Sequence, residues 1–316
     1  MKRETITVER FYSTQTDALQ LKLVAGATGL KKIIREPTVN RPGLALAGHT
    51  KYFAMRRVQV LGNAETTYLK TLPVDERVKR YRTFFSFKIP CVVFCRGLKP
   101  DRQFKMLAEE YQVPVFISPL ITMKFINLAT IALEALFAPR QTVMGSMVDI
   151  LGIGVIIRGE SGIGKSECVL ALIEKGHSLV SDDVVNLTLF EGQYLVGKSP
   201  EITQNFMEVR GIGIVDVQAM FGIRSIRNEK RVDLVVTLKD WHEVKDIDRL
   251  GMDEQYVKIL GVKIPHIIIP VRPGRDIARL IEVAAMHTKL KAAGYNTARE
   301  LDERIIKKIS SVNNPL

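Results

Sequence analysis

The stretch Gly159-Glu160-Ser161-Gly162-Ile163-Gly164-Lys165-Ser166 follows the phosphate-binding-loop pattern G-x-x-x-x-G-K-[ST]. Upstream, residues 148–157 are rich in β-branched side chains and read as two paired strand segments, the second running into the loop. Downstream, residues 166–175 carry Val169, Leu170, Leu172 and Ile173 at helical spacing, and Gly176 suits a left-handed helix stop. Strand, glycine loop and helix N-terminus are the arrangement this chemistry needs. Glycines let backbone N–H groups close around phosphate oxygens, and the helix dipole favours negative charge at that end. The stretch therefore predicts a site for a nucleoside triphosphate or similar polyphosphate. In it Lys165 reaches the β/γ-phosphates and the Ser166 hydroxyl ligates Mg²⁺.

Length and composition set the frame around this loop. A chain of 316 residues is long enough for about two domains. Its 46% hydrophobic and 25% charged content is that of an ordinary soluble globular protein. No apolar run reaches the ~18 residues that span a bilayer. Residues 125–138 come nearest, but Asn127, Thr130 and Glu134 interrupt them. Lys2 and Arg3 are followed by polar residues where a signal peptide would need an apolar segment. Cys91, Cys95 and Cys168 are too few and too scattered for a metal site and read as buried free thiols in a reducing cytoplasm. The net charge of +12 raises nucleic-acid binding. The basic residues form no aromatic-flanked stripe, however, and no nucleic-acid or membrane partner is expected.

Residues 1–139 read as a separate α/β domain with a structural or assembly role. A short segment over 5–12 leads to a helix over 14–25, and residues 57–62 alternate like a strand. A continuous apolar strand over 89–95, a helix over 101–111 and a strand over 113–117 make a parallel βαβ unit. A long helix over 122–137 ends at Pro139, where the residue before a proline is biased out of the helix. The domain break is placed there.

Residues 140–316 carry the chemistry. The strand 178–181 ends in Asp182-Asp183. A carboxylate there can hold a metal's water shell or take a proton from an attacking hydroxyl, and a solvated turn fits the pattern as well. Adjacent strand residues point to opposite faces, so at most one of the two faces the phosphates. In residues 208–216, glycines permit close backbone approach, while Glu208 and Arg210 suit a metal and a phosphate. Residues 234–238 form a core strand, and the polar run 240–253 is a surface loop containing Arg249. The apolar strand 264–271 ends in Arg272-Pro273-Gly274-Arg275. Its two arginines either clamp an oxyanion or form a basic turn before the helix over 276–290.

Taken together these stretches resemble the HPr kinase/phosphorylase family nearly end to end. In the second domain the resemblance rests on the loop with Glu167, on Lys175-Gly176-His177 with Asp182-Asp183, and on residues 208–216. It continues through Asp248-Arg249-Leu250-Gly251, Ile269-Pro270-Val271-Arg272-Pro273-Gly274-Arg275 and Ile281-Glu282-Val283-Ala284-Ala285-Met286. Arg41-Pro42-Gly43-Leu44 and Arg96-Gly97-Leu98 extend it into the first domain. The resemblance implies an α/β chain whose C-terminal P-loop kinase domain has a central, carboxykinase-like sheet. It implies ATP- or pyrophosphate-dependent phosphorylation of a serine of the phosphocarrier protein HPr, and phosphorolysis of that phosphoserine by inorganic phosphate. Carried over by position, Lys165 neutralises the transferring phosphoryl group. Asp183 is base in one direction and acid in the other, Ser166 and Glu208 hold Mg²⁺, and Arg249 stabilises charge. Pro270, Val271, Arg272, Pro273, Gly274 and Arg275 form the segment needed mainly for dephosphorylation. A cytoplasmic homohexamer controlling carbon metabolism is implied too.

One departure stands out. The family has a functional histidine followed by glycine just before the P-loop strands, and this chain reads Val143-Met144-Gly145 there. A thioether neither carries a proton nor donates to phosphate. Loss of a group that acts in the transition state typically costs ~10²–10⁴-fold. Two other readings are a P-loop kinase or carboxykinase acting on a small metabolite, and an ATP-binding regulatory protein whose activities Met144 weakens.

Overall fold

The computed structural model describes residues 5–244, 255–295, 300 and 304. The chain divides into two compact units, Met1–Ala138 and Pro139–Leu316.

In the first unit, β1 (Ile6–Thr7) leads into α1 (Val8–Leu19), which Thr7 caps by accepting from the Arg10 amide. The chain continues through β2 (Lys22–Ala25), β3 (Ile33–Ile34), β4 (Val39–Asn40), α2 (Gly43–Leu46), β5 (Val58–Leu61), α3 (Asn63–Thr71) and α4 (Val74–Ser86). Then follow β6 (Val92–Phe94), α5 (Arg102–Glu110), β7 (Val115–Ile117) and α6 (Thr122–Phe137). The main sheet has the order β2-β7-β6-β5-β4, and β6 and β7 are parallel across α5, the expected βαβ unit. Helices α1 and α6 cover one face, and α3, α4 and α5 the other. The helix expected over 14–25 is instead α1 followed by a strand. Gln20 turns left-handed at φ 50° and ends the helix, and 22–25 joins β7. The strand expected over 57–62 is β5, which is buried on both faces. Its one amide side chain, Gln59, donates to the Ala54 and Arg57 carbonyls and accepts from Asn40. Cys91 and Cys95 are buried free thiols, and burial pushes Cys95 up to about 12.

The second unit begins with β8 (Arg140–Met144), β9 (Ser146–Ile150) and β10 (Ile153–Gly159), then α7 (Lys165–Glu174) and β11 (Ser178–Ser181). It continues with β12 (Val184–Phe190), β13 (Tyr194–Lys198), β14 (Phe206–Val209), β15 (Gly213–Asp216), α8 (Val217–Phe221) and β16 (Glu229–Arg231). The last elements described are β17 (Leu234–Asp240), β18 (Gln255–Ile259), β19 (Val262–Val271) and α9 (Ile277–Ala292). A mixed sheet of order β11-β9-β10-β17-β19-β18 is the centre, with a second sheet of order β16-β13-β12-β8. One face of the central sheet packs α7 and α9 through Val155, Ile157, Val169, Leu172, Val236 and Ile281. The other meets the second sheet through Met147, Ile156, Val185, Leu187 and Val235. Gly197 on β13 makes that contact possible, since a Cβ there would meet the Met147 sulfur at 2.4 Å. The fold is thus α/β, with helices on one side of the central sheet and a smaller sheet on the other.

Register fixes where the loops gather. β10, β17 and β19 are parallel, with Gly159 opposite Leu238 and Leu238 opposite Ile269. β9 is antiparallel to both β10 and β11, so β11 runs in the direction of β10. Residues 159–164, 182–183, 240–244 and 270–275 therefore all leave the sheet at one edge, beyond the carboxyl ends of these strands. Open α/β sheets bind ligands in that position.

Candidate active site

The phosphate-binding stretch spans the turn from β10 to α7. Gly162 and Gly164 take left-handed angles, φ 89° and 96°, which only glycine adopts freely. Gly159 lies against β17, where a Cβ would come within 2.9 Å of the Leu238 carbonyl oxygen. The Lys165 ammonium donates to the carbonyls of Gly159 at 2.9 Å and Glu160 at 2.7 Å, so it lies across the loop. Ser166 is the second residue of α7, in the first turn where the helix amides are unpaired. Helix α7 is stopped by Gly176 at φ 92°, as its sequence predicts.

The two aspartates after β11 have different environments. Asp182 is buried, and its carboxylate accepts from the Ser146 hydroxyl at 2.7 Å and from the Glu208 amide at 3.2 Å. Burial, opposed by these hydrogen bonds and reinforced by the neighbouring Asp183 charge, holds its carboxyl above the usual aspartate range. Asp183 is exposed and left-handed at φ 57°, which an aspartate tolerates better than most residues. Its carbonyl accepts from the Gly145 amide at 2.8 Å. One carboxylate thus faces inward as a strut and the other lies exposed.

Residues 208–216 form the hairpin β14–β15, in which Glu208 pairs with Ile214 and is exposed. Two bonds tie this hairpin to the loop region. One is the Asp182 carboxylate on the Glu208 amide; the other is the Arg210 guanidinium, which donates to the Ser161 hydroxyl at 3.0 Å. The loop, Asp182-Asp183, Glu208 and Arg210 are thereby brought together. The segment Pro270–Arg275 leaves β19 at the same edge, and the Arg272 guanidinium stacks on Trp241 at 4.9 Å from the ring centroid. Arg249, with the whole of 248–251, lies outside the described residues.

Met144 ends β8, is 72% exposed, and is the register partner of Val184, the residue after Asp183. The departure from the family pattern thus lies beside the outward-facing aspartate.

Sequence reasoning missed Ser146, which had no motif around it and acquires its role only by pairing of β9 within the sheet. It missed Arg158 as well. This half-buried guanidinium has an Nε without a partner among the described residues, and desolvation lowers its pKa. An arginine one residue before a glycine loop on a central strand was the available signal. His177, quoted only as part of a motif, is buried with Nε2 3.2 Å from Glu282 of α9, tying the segment after α7 to that helix.

The residues present fit Mg²⁺ held jointly with phosphate. Ser166 and Glu208 offer hard oxygen donors, and Mg²⁺ takes one or two protein oxygens, substrate phosphates and waters rather than a protein cage. Among the described residues no group of three or more His, Cys, Asp or Glu side chains could cage a metal.

Comparison with known proteins places the chain. Residues 135–305 match the family described as HPr Serine kinase C-terminal domain, and residues 6–133 the family described as HPr Serine kinase N terminus. The HPr kinase/phosphorylase of Thermoanaerobacter sp. strain X514 is 42% identical over 293 residues, spanning 93% of this chain and 96% of its own. That of Chloroherpeton thalassium is 42% identical over 320 residues, spanning 100% and 94%. A solved HPr(Ser) kinase/phosphatase from Coxiella burnetii is 36% identical, with a TM-score of 0.46 over 51% of this chain and 98% of that one. Matched by the family along both of its units and by relatives over nearly its whole length, this chain belongs to the HPr kinase/phosphorylase family.

Proposed function

We propose that this chain phosphorylates a serine of the phosphocarrier protein HPr, with ATP or pyrophosphate as donor, and removes that phosphate by phosphorolysis. The observation that carries the reading is the convergence, in a member of this family, of the glycine loop, Asp183 and Glu208 at one sheet edge. Phosphoryl transfer needs positioning and charge neutralisation more than covalent chemistry, and this edge supplies both.

In the forward direction Asp183, outward-facing and reachable by a protein substrate, accepts the serine proton as the serine oxygen attacks the terminal phosphorus and the P–O bond to ADP or phosphate breaks. The Lys165 ammonium, drawn off the loop carbonyls, neutralises the phosphoryl oxygens, and loop amides hold the rest of the donor. In reverse, inorganic phosphate attacks the phosphoserine, the P–O bond to serine breaks, and Asp183 returns the proton to the departing serine oxygen, leaving pyrophosphate. Ser166 and Glu208 would hold Mg²⁺, which would supply charge neutralisation at the phosphates. Arg249 stabilises charge at the reacting centre, and Pro270–Arg275 serves mainly the reverse reaction. The assembly is a cytoplasmic homohexamer, and the net charge of +12 steers an acidic partner in a salt-dependent way.

The test is a paired assay with purified protein, Mg²⁺ and HPr from the same organism. One arm supplies ATP or pyrophosphate and follows phosphoserine; the other starts from phosphoserine-HPr and phosphate and follows pyrophosphate. Turnover in both arms is expected. Transfer to a small acceptor with none to HPr, or nucleotide binding with silence in both arms, would overturn the reading.

A further inference from the structure

The first unit holds a concave basic site that the reaction does not use. Lys31, Lys32, Arg35 and Lys88 line a pocket of about 530 Å³ floored in part by Tyr111. No carboxylate is among its lining residues. Among the described residues, Glu36 pairs with Arg57, Glu110 with Arg82, and Glu109 accepts from the Gly26 amide. The other sizeable pocket, in the second unit, differs in this respect. There Arg227 and Lys230 both lie within 3.4 Å of the buried Asp149 carboxylate, so its charge is internally balanced.

The bland account of the lysines is helix capping, and it covers part of them. Lys88 follows the end of α4, and the Lys32 ammonium donates to the carbonyl of Tyr111 just past α5 at 3.0 Å. Two helix C-termini contribute about half a negative charge each, against four full positive charges. Lys88 is moreover held left-handed at φ 53°, at a helix stop where glycine would sit without strain. The Lys32 ammonium is lowered in pKa by burial and by the Lys88 charge.

We propose that this pocket binds a small polyanion carrying two or more phosphate groups, giving the N-terminal unit a ligand-binding role. Four cations in a concavity of this size match a chain of phosphates better than one monoanion. The shared chemistry is the phosphate chain, whether inorganic or part of an organic phosphate.

The test is calorimetric titration of tripolyphosphate, and separately of ATP, into the full-length Lys165→Ala protein, in which the loop site is crippled. A saturable site is expected. Equal affinities assign recognition to the phosphates alone, and tighter ATP gives the organic part a share. Combining Lys31→Gln, Arg35→Gln and Lys88→Gln should abolish the site. Lys88→Gly alone should weaken it about tenfold, as expected for one charged hydrogen bond, while the melting temperature holds or rises because glycine fits φ 53°. That pairing separates ligand binding from helix capping. No saturable binding in the Lys165→Ala protein, or binding that survives the triple substitution, would overturn the proposal.

Discussion

The Gly145 amide donates to the Asp183 carbonyl at 2.8 Å, and this bond fixes Met144 beside the proposed proton acceptor. The thioether is 72% exposed, so an imidazole fits there without repacking. We expect Met144→His to fold like the parent and to raise kcat in at least one direction by about tenfold or more, the lower part of the range for a positioned acid–base group. Rates unchanged in both arms of the paired assay would show that the methionine is neutral.

Asp182 and Asp183 should separate cleanly on mutation. Asp183→Asn should lower kcat in both directions by about 10²–10⁴-fold with little change in melting temperature, since its side chain is exposed. Asp182→Asn leaves one of two hydrogen bonds, to Ser146 or to the Glu208 amide, without a proper acceptor. It should cost about 1–3 kcal/mol and raise the Mg²⁺ requirement by loosening the strand that carries Glu208.

The same residue gives a pH signature. The Asp182 carboxyl is raised in the folded protein, chiefly by burial, so the native state holds its proton to higher pH than the unfolded chain. Stability from this group is full at low pH and declines as pH rises above the usual aspartate range. Asp182→Asn lacks that slope. The melting-temperature gap between parent and variant should therefore be wider near pH 4 than near pH 7; a gap that widens with pH would contradict the sign.

Local signals carried much of this fold and site. The phosphate-binding turn was legible because glycine angles, helix start and helix stop are all set within twenty residues. The βαβ unit at 92–117 was legible for the same reason. What escaped notice depends on contacts between distant residues. Lys22–Ala25 looks like a continuation of a helix until β7 pairs with it. The hairpin 206–216 looks like scattered glycines until Asp182 and Ser161 receive its bonds. Ser146 has no distinguishing neighbour at all, because its partner is 36 residues away.

Gly162 offers a test of the loop itself. Its φ of 89° disfavours any side chain by about 1–2 kcal/mol, and a Cβ there would also come within 3.2 Å of the Arg210 guanidinium. Gly162→Ala should raise the KM for the phosphoryl donor by about tenfold, by the conversion of that strain. Adding Arg210→Ala clears the space without changing φ, so the double variant should not recover. Recovery would mean that crowding, and not backbone angle, is what glycine relieves.

Trp241 is the only tryptophan in the chain, and Arg272 stacks on it at 4.9 Å. The pair joins the end of β17 to the segment proposed to serve phosphorolysis. A guanidinium over an indole contributes about 0.5–1 kcal/mol at an exposed site, little enough for an incoming phosphate to draw it away. Phosphate or pyrophosphate should therefore change the intrinsic fluorescence of the parent protein saturably. Arg272→Ala should remove most of that change and lower phosphorolysis by about tenfold or more, the effect of losing one charged hydrogen bond. Phosphorylation of HPr should fall by much less. Equal losses in the two directions, or an unaltered fluorescence response in the variant, would show that Arg272 is a structural partner of Trp241 and that the reverse reaction draws its phosphate clamp from elsewhere.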